Sequence, residues 1–303
     1  MGSVKLSAQG WQTAAARRAV VMLMFLGALG LEAAWAQELP QPRIEEEKAK
    51  QENIYRSRGA DVPRGYTIDR GLSAYAEQLP SGFCDALAGL GSSDRWLDIG
   101  AGTGQAILDY YAPEDAAAAG KKCVGSGAKA RAVAMSIEDR RTDQWRERAA
   151  SVGDDRIRYL SGRRLRQYSP EELGNFQIIT DVFGGFSYTE NLSGFVQQVL
   201  RMLETGGVFY TLMSGVHLSE GKEKLGILYL TELEDAIGRP VKLCSWLKKT
   251  TCAQVTCESK HDWKRPTELI KIAKVCSDTS VPSMKLVEFE AGYPPSRRFQ
   301  LEQ

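Results

Sequence analysis

Residues Arg95 to Tyr111 read R-W-L-D-I-G-A-G-T-G-Q-A-I-L-D-Y-Y, and no other stretch limits the fold of the chain as tightly. Trp96, Leu97 and Ile99 form an apolar run the length of a short buried strand, interrupted by one carboxylate, Asp98. Gly100, Gly102 and Gly104 follow at alternate positions. Behind them Ala106, Ile107, Leu108, Tyr110 and Tyr111 read as a helix. A strand that turns through glycines into a helix lets backbone come close to a ligand and offers it free N–H donors. The stretch therefore predicts a nucleotide-type site on an α/β fold.

Two common versions of such a site are excluded by single residues. The dinucleotide fingerprint G-x-G-x-x-G needs a glycine where Gln105 stands. A phosphate-binding P-loop needs Gly-Lys-Ser/Thr, and Gly104 is followed by Gln105 and Ala106. What remains, Asp-x-Gly-x-Gly-x-Gly with the acid inside the strand, resembles the first motif of class I S-adenosylmethionine (SAM) dependent methyltransferases. That resemblance implies that the glycine loop lies beside the methionine and ribose portions of SAM.

The rest of the chain supplies alternating strands and helices. Arg43 to Ser57 reads as a solvated helix with a thin apolar stripe at Ile44, Ile54 and Tyr55. Arg58 to Gly71 reads as loop, and Leu72–Leu79 and Gly82–Leu90 as two short helices. Strands are expected at Arg131–Ile137, Arg156–Leu160, Phe176–Thr180 and Val208–Met213. Charged helix follows the first of these at Arg140–Ala150. Asn191 to Glu204 has apolar residues at helical spacing, ended by Thr205-Gly206-Gly207. The run L-E-T-G-G-V-F-Y resembles the family's Leu-x-Pro-Gly-Gly turn into its fifth strand. Toward the C-terminus, helices are expected at Leu225–Ile237 and Glu268–Val275. Strands are expected there at Val241–Leu247, Thr251–Ser259 and Met284–Glu290. The whole predicts a doubly wound, mostly parallel sheet, Rossmann-like, with N-terminal helices and a cysteine-containing C-terminal elaboration. The expected division is leader 1–36, linker and cap helices 37–90, and methyltransferase-like domain 91–303.

The first 36 residues have the form of a secretory signal peptide. Lys5, Arg17 and Arg18 precede an apolar run from Ala19 to Leu31, and Ala34-Trp35-Ala36 closes it with a small-x-small exit. An uncleaved anchor is the alternative, and in both cases the domain ends up outside. A periplasmic or secreted protein is expected, with the cytoplasm as runner-up. Removing the leader takes away three positive charges and Glu32, turning the formal charge from +1 to −1. Neither value gives the basic footprint of a nucleic-acid binder. All six cysteines, Cys84, Cys123, Cys244, Cys252, Cys257 and Cys276, lie beyond the leader, and their even number favours disulfides. No Cys-x2-Cys pair is present to favour zinc.

For SAM binding the resemblance implies Asp98, Gly100, Gly102, Gly104 and Glu138, with Ser161 and Asp181 as further contacts. Glu138 follows the second strand, where the family places an acid that accepts hydrogen bonds from both ribose hydroxyls. It stands about twice the usual twenty residues from Gly100, so an insertion is expected around Gly120 to Gly127. After the third strand this chain departs from the family, with Ser161-Gly162-Arg163 where an acid often meets the adenine. Candidate catalytic residues are Asp181, Tyr188 and His217; a proton acceptor is needed only for a hydroxyl or similar acceptor. In this family the segment before the first strand often covers the substrate. That makes Tyr55, Tyr66 and Tyr75 either pocket walls or packing aromatics, the latter favoured. The leading expectation is a SAM-dependent methyltransferase acting on an unidentified acceptor, a small molecule or else an exported protein. The rival is an exported, inactive binding protein that keeps the fold, because SAM is made in the cytoplasm.

Overall fold

The computed structural model describes residues 42–56, 69–111, 123, 129–153, 155–216, 229–262, 265–292 and 294–302. Residues 43–303 make up one compact unit. Three helices come first: α1 (Pro42–Arg56), α2 (Leu72–Gln78) and α3 (Phe83–Ala88). The units β1 (Arg95–Ile99), α4 (Gln105–Tyr111), β2 (Arg131–Met135), α5 (Asp143–Val152) and β3 (Ile157–Leu160) follow. Next come α6 (Pro170–Leu173), β4 (Phe176–Asp181), α7 (Gly185–Tyr188), α8 (Leu192–Met202) and β5 (Leu203–Ser214). The remainder is β6 (Leu230–Glu234), α9 (Leu243–Leu247), β7 (Ala253–Asp262), β8 (Arg265–Lys274), β9 (Met284–Glu290) and β10 (Ser296–Leu301).

Seven strands form one sheet in the order β3-β2-β1-β4-β5-β8-β7. β3 through β5 are parallel, and β8 and β7 add an antiparallel hairpin. This is a doubly wound, mostly parallel Rossmann-like α/β fold, as the resemblance implies. Parallel strands covered on both faces must be apolar on both sides. Accordingly Leu97 and Ile99 of β1 join a core with α8 and β9–β10, while Trp96 joins the opposite core with α2, α3, α4 and α5. Asp98 alternates with Leu97 and so lies on the Trp96 face, beneath α2.

The order reverses between β1 and β4. Chain leaving β1 winds toward β2 and β3, whereas chain leaving β4 winds toward β5. Loops part at such a switch point, and ligands of open α/β sheets bind there, outside the carboxyl ends of the strands.

The C-terminal third differs from expectation at several places. Leu230–Glu234 is a strand within the expected helix Leu225–Ile237, and it pairs in parallel with β10. Val241–Leu247 was expected as strand, but Leu243–Leu247 is helical. Glu268–Val275 was expected as helix and is β8, hydrogen-bonded between β5 and β7. Its Glu, Leu, Lys and Ala residues favour helix locally, and pairing on both edges overrides that preference. Met284–Glu290 is not the last strand, because β10 follows and makes a second sheet, β6-β10-β9. β5 begins at Leu203, earlier than Val208. Its register with β4 jumps between Phe176 and Ile178, so Thr205-Gly206-Gly207 forms an irregularity inside the strand, with Gly206 at φ 89°.

The cysteines stand at disulfide distance in three pairs, Cys84–Cys123, Cys244–Cys257 and Cys252–Cys276. No helix among the described residues is long and apolar enough to cross a membrane. The expected leader, the insertion around Gly120 and the side chains of Tyr55 and Tyr66 lie outside the described residues.

Candidate functional site

The glycine loop leaves β1 with Gly100, Gly102 and Gly104 all at positive φ, 74°, 59° and 85°. Only glycine adopts that conformation without strain. At Gly100 a second constraint applies: an added Cβ would sit 2.5 Å from the Cα of Gly184, in the loop after β4. The two loops at the switch point thus touch backbone to backbone. Gly100 and Ala101 also donate to the Met135 carbonyl at 2.9 and 3.0 Å, fixing the turn to β2.

Asp98 lies directly behind this loop and is fully buried. Its carboxylate accepts from hydroxyls drawn from two elements. The Tyr75 hydroxyl of α2 lies 2.9 and 3.0 Å from the two oxygens. Thr180 of β4 donates to Oδ1 at 2.7 Å, and Trp96 Nε1 in turn donates to Thr180 Oγ1 at 2.8 Å. Burial pushes the Asp98 pKa up to about 7, against the pull of the Thr180 and Tyr75 hydrogen bonds. Tyr75 therefore packs under the loop and orders its acid. Its own pKa is driven up by burial and by the Asp98 charge.

Asp181 ends β4 and is equally buried. Its oxygens accept from the backbone N–H groups of Gly184 and Phe186, each at 3.0 Å. Burial lifts its pKa to about 7, and the Asp98 charge adds to the rise. Asp181 shapes the loop that carries Phe183, a non-glycine residue at φ 53°, and leads into α7. Positive φ at a bulky residue costs energy and concentrates at functional sites. The guanidinium carbon of Arg70 lies 4.8 Å from the centre of the Phe183 ring.

Glu138 stands past the end of β2, its side chain 49% exposed and bridged to Arg140 at 3.0 Å. Tyr159 of β3 links this region to the glycine loop, since its hydroxyl reaches both the Gly102 and the Glu138 carbonyl oxygens. Asp69 holds the loop from the other side by accepting from Thr103 N at 3.1 Å. Beneath the loop the Trp145 indole N–H is buried without a hydrogen-bond partner among the described residues. A Cβ at Gly104 would come within 3.1 Å of it.

The structure thus brings Asp98, Gly100, Gly102, Gly104 and Glu138 together around one loop. Ser161 follows β3 and is partly exposed. Tyr188 ends α7 and meets Tyr229 edge-to-face at 5.5 Å. His217 lies outside the described residues. Sequence reasoning missed Tyr159, Thr180, Asp69 and Arg297, a buried guanidinium on β10. Arg297 alternates with Phe299 on β10 and shares its buried face.

No family model and no curated protein matches the chain. Among solved structures it is similar to a geranyl diphosphate methyltransferase in complex with GPP and sinefungin. That likeness has 17% identity, covers 50% of this chain and 48% of that one, and has a TM-score of 0.35. It is also similar to cofactor-bound Rv0187 from MTB, at 14% identity over 84% of this chain and 96% of that one, TM-score 0.42. A third is Haemonchus contortus phosphoethanolamine N-methyltransferase 2 in complex with S-adenosyl-L-methionine, at 12% identity over 64% and 51%, TM-score 0.41. The chain spans about half the length of the first of these. The fold stands on its own strand order and register, and these distant likenesses add no weight to it.

Proposed function

We propose that this protein is a SAM-dependent methyltransferase that acts on a small-molecule acceptor. The observation behind the proposal is the left-handed glycine loop at the switch point of the sheet, backed by the buried, fully hydrogen-bonded Asp98. The site fits an adenosine-bearing cationic cofactor in three respects. The glycines leave backbone uncovered, Glu138 offers an acceptor-only carboxylate at the end of β2, and two carboxylates are buried behind the loop. Asp98, Gly100, Gly102, Gly104 and Glu138 would hold SAM, with Ser161 and Asp181 as further contacts. When bound, SAM supplies an activated methyl group with a good leaving group, so the protein's task is alignment. Asp98 and Asp181 hold the two loops, and Tyr188 lies on the acceptor side of them. In this reading residues 37–90 cap a catalytic domain of 91–303, and the protein works outside the cytoplasm after loss of residues 1–36.

Calorimetry with SAM and S-adenosylhomocysteine tests this. The expected result is saturable one-to-one binding. Loss of a charged hydrogen-bond acceptor in Glu138→Ala should weaken it by roughly 10- to 100-fold. Absence of heat with a folded protein would sink the reading.

The rival reading, an exported fold relative that binds without catalysing, draws on two observations. Glu138 is engaged by Arg140, and Tyr159 closes the gap between Glu138 and Gly102. Cysteines at disulfide distance accord with a compartment where SAM is not made. Binding of S-adenosylhomocysteine without methyl transfer to any acceptor would favour it.

A further inference from the structure

Arg297 is a buried charge that the fold leaves incomplete. It lies on β10, with Thr231 of β6 opposite on one side and Phe289 of β9 on the other. The residue is 3% exposed. Its Nε–H donates to Thr231 Oγ1 at 2.9 Å, and Nη1 donates to the Thr189 carbonyl. Nη2 is buried and has no hydrogen-bond partner among the described residues. Among the described residues no carboxylate forms an ion pair with this guanidinium. Glu190, whose charge it feels, is held 2.9 Å from Lys48. Ring faces are its other company: the guanidinium carbon lies 5.1 Å from the Tyr229 centroid and 5.3 Å from that of Phe299. Such contacts attract a cation without satisfying its N–H groups. Burial pulls the Arg297 pKa down to about 10, so the group remains charged at neutral pH.

Its place in the fold matters as much as its charge. Thr189 follows α7 in the segment leaving β4, and Thr231 bridges in parallel to Val216, just past β5. The guanidinium therefore sits by the carboxyl ends of β4 and β5, on the side of the switch point away from Glu138. Tyr188 and Tyr229, both partly exposed, meet edge-to-face beside it, and Phe289 lies 6.0 Å from Tyr229. A guanidinium is a planar fork of donors that matches a carboxylate, and a cation buried without an anion is costly.

Resting on the methyltransferase reading, we infer that the acceptor is a small aromatic carboxylate, its anionic group held by Arg297 and its ring by Tyr188 and Tyr229. Nη2 is sealed from solvent, so the carboxylate reaches it as the partly exposed Tyr188–Tyr229 pair parts. The inference assigns Arg297 a binding role in the acceptor half and no part in the transfer itself.

Benzoate and benzamide separate charge from shape, because the two are nearly the same size. Each is titrated into the wild-type protein without SAM, and into Arg297→Met and Arg297→Lys. Saturable benzoate binding is expected, at least tenfold tighter than benzamide, lost in Arg297→Met and partly kept in Arg297→Lys. Equal binding of the two probes, no benzoate binding, or undiminished binding to Arg297→Met each overturns the inference. If Arg297→Met does not fold, the guanidinium N–H resonances of the wild type decide. They shift with benzoate alone if the inference holds, and benzoate binding that leaves them unmoved overturns it. Benzoate binding through Arg297 in a protein that takes up no SAM would sink the methyltransferase reading while the anion site stood. SAM binding without benzoate binding would do the reverse.

Discussion

Asp98 on β1 and Arg297 on β10 are both buried, both ionisable and both near the carboxyl ends of the seven-stranded sheet's parallel strands, Asp98 within β1 and Arg297 beside β4 and β5. The acid is finished from within, with hydroxyls from α2 and β4 closing on its two oxygens. The guanidinium is tied at Nε and Nη1 and orphaned at Nη2. A satisfied buried group is a structural investment that stiffens its surroundings, whereas an unsatisfied one costs free energy until something arrives to complete it. The difference separates the two halves of the proposed site. The loop around Asp98 is pre-formed, and the region around Arg297 awaits a partner.

Substitutions can break or sharpen that contrast. The largest effect is expected at Gly100→Val, which forces positive φ on a β-branched residue and drives its Cβ into Gly184. The loss should be about 4 kcal/mol or more, read from urea unfolding. Next comes a pair measured the same way. Asp98→Ala strands the Tyr75 and Thr180 hydroxyls in the core and should cost about 2–4 kcal/mol. Arg297→Met removes a charge that was only partly satisfied and should cost about 1 kcal/mol or less. Equal costs would erase the distinction between the two places.

The acid also predicts a pH dependence. Its ordinary pKa of 3.8 rises to about 7 in the fold, so the folded protein keeps a proton that the unfolded chain gives up. Stability from this group is therefore full below about pH 4, falls as the pH rises toward 7, and levels off above. Asp181 adds a fall in the same window. Unfolding of Asp98→Asn across pH 4 to 8 should show a shallower decline than wild type. An unchanged slope would mean that Asp98 is not the buried acid described here. An effect as small as that of Arg297→Met is expected at Tyr159→Phe. Losing the bond to the Gly102 carbonyl should cost about 1 kcal/mol and change S-adenosylhomocysteine affinity less than tenfold.

The first half of the fold was legible because its signals are local. Apolar runs and glycines that only a left-handed turn explains both act within a few residues. Asp98 was legible for the same reason, as the acid that interrupts the apolar run Trp96–Ile99. Its partners were not, because Tyr75 and Thr180 stand 23 and 82 residues away and meet it only through packing. β8 was misread because Glu268-Leu-Ile-Lys-Ile-Ala-Lys274 suits a helix until two neighbouring strands claim its backbone. β10 follows Pro294 and Pro295 and is short, so it gave little periodic signal. Arg297 stayed hidden with it, since one of two adjacent arginines reads as surface charge. Cysteine count pointed to disulfides, and only the fold sets Cys84 beside Cys123.

The most direct test of the account is a crystal structure of the protein with S-adenosylhomocysteine. The account predicts density along Gly100–Gly104, with the ribose hydroxyls on Glu138, Arg140 released from that carboxylate, and the sulfur directed toward the α7 side where Tyr188 lies. A ligand bound elsewhere, or a glycine loop still closed by Tyr159 with no ligand at saturating concentration, would contradict it.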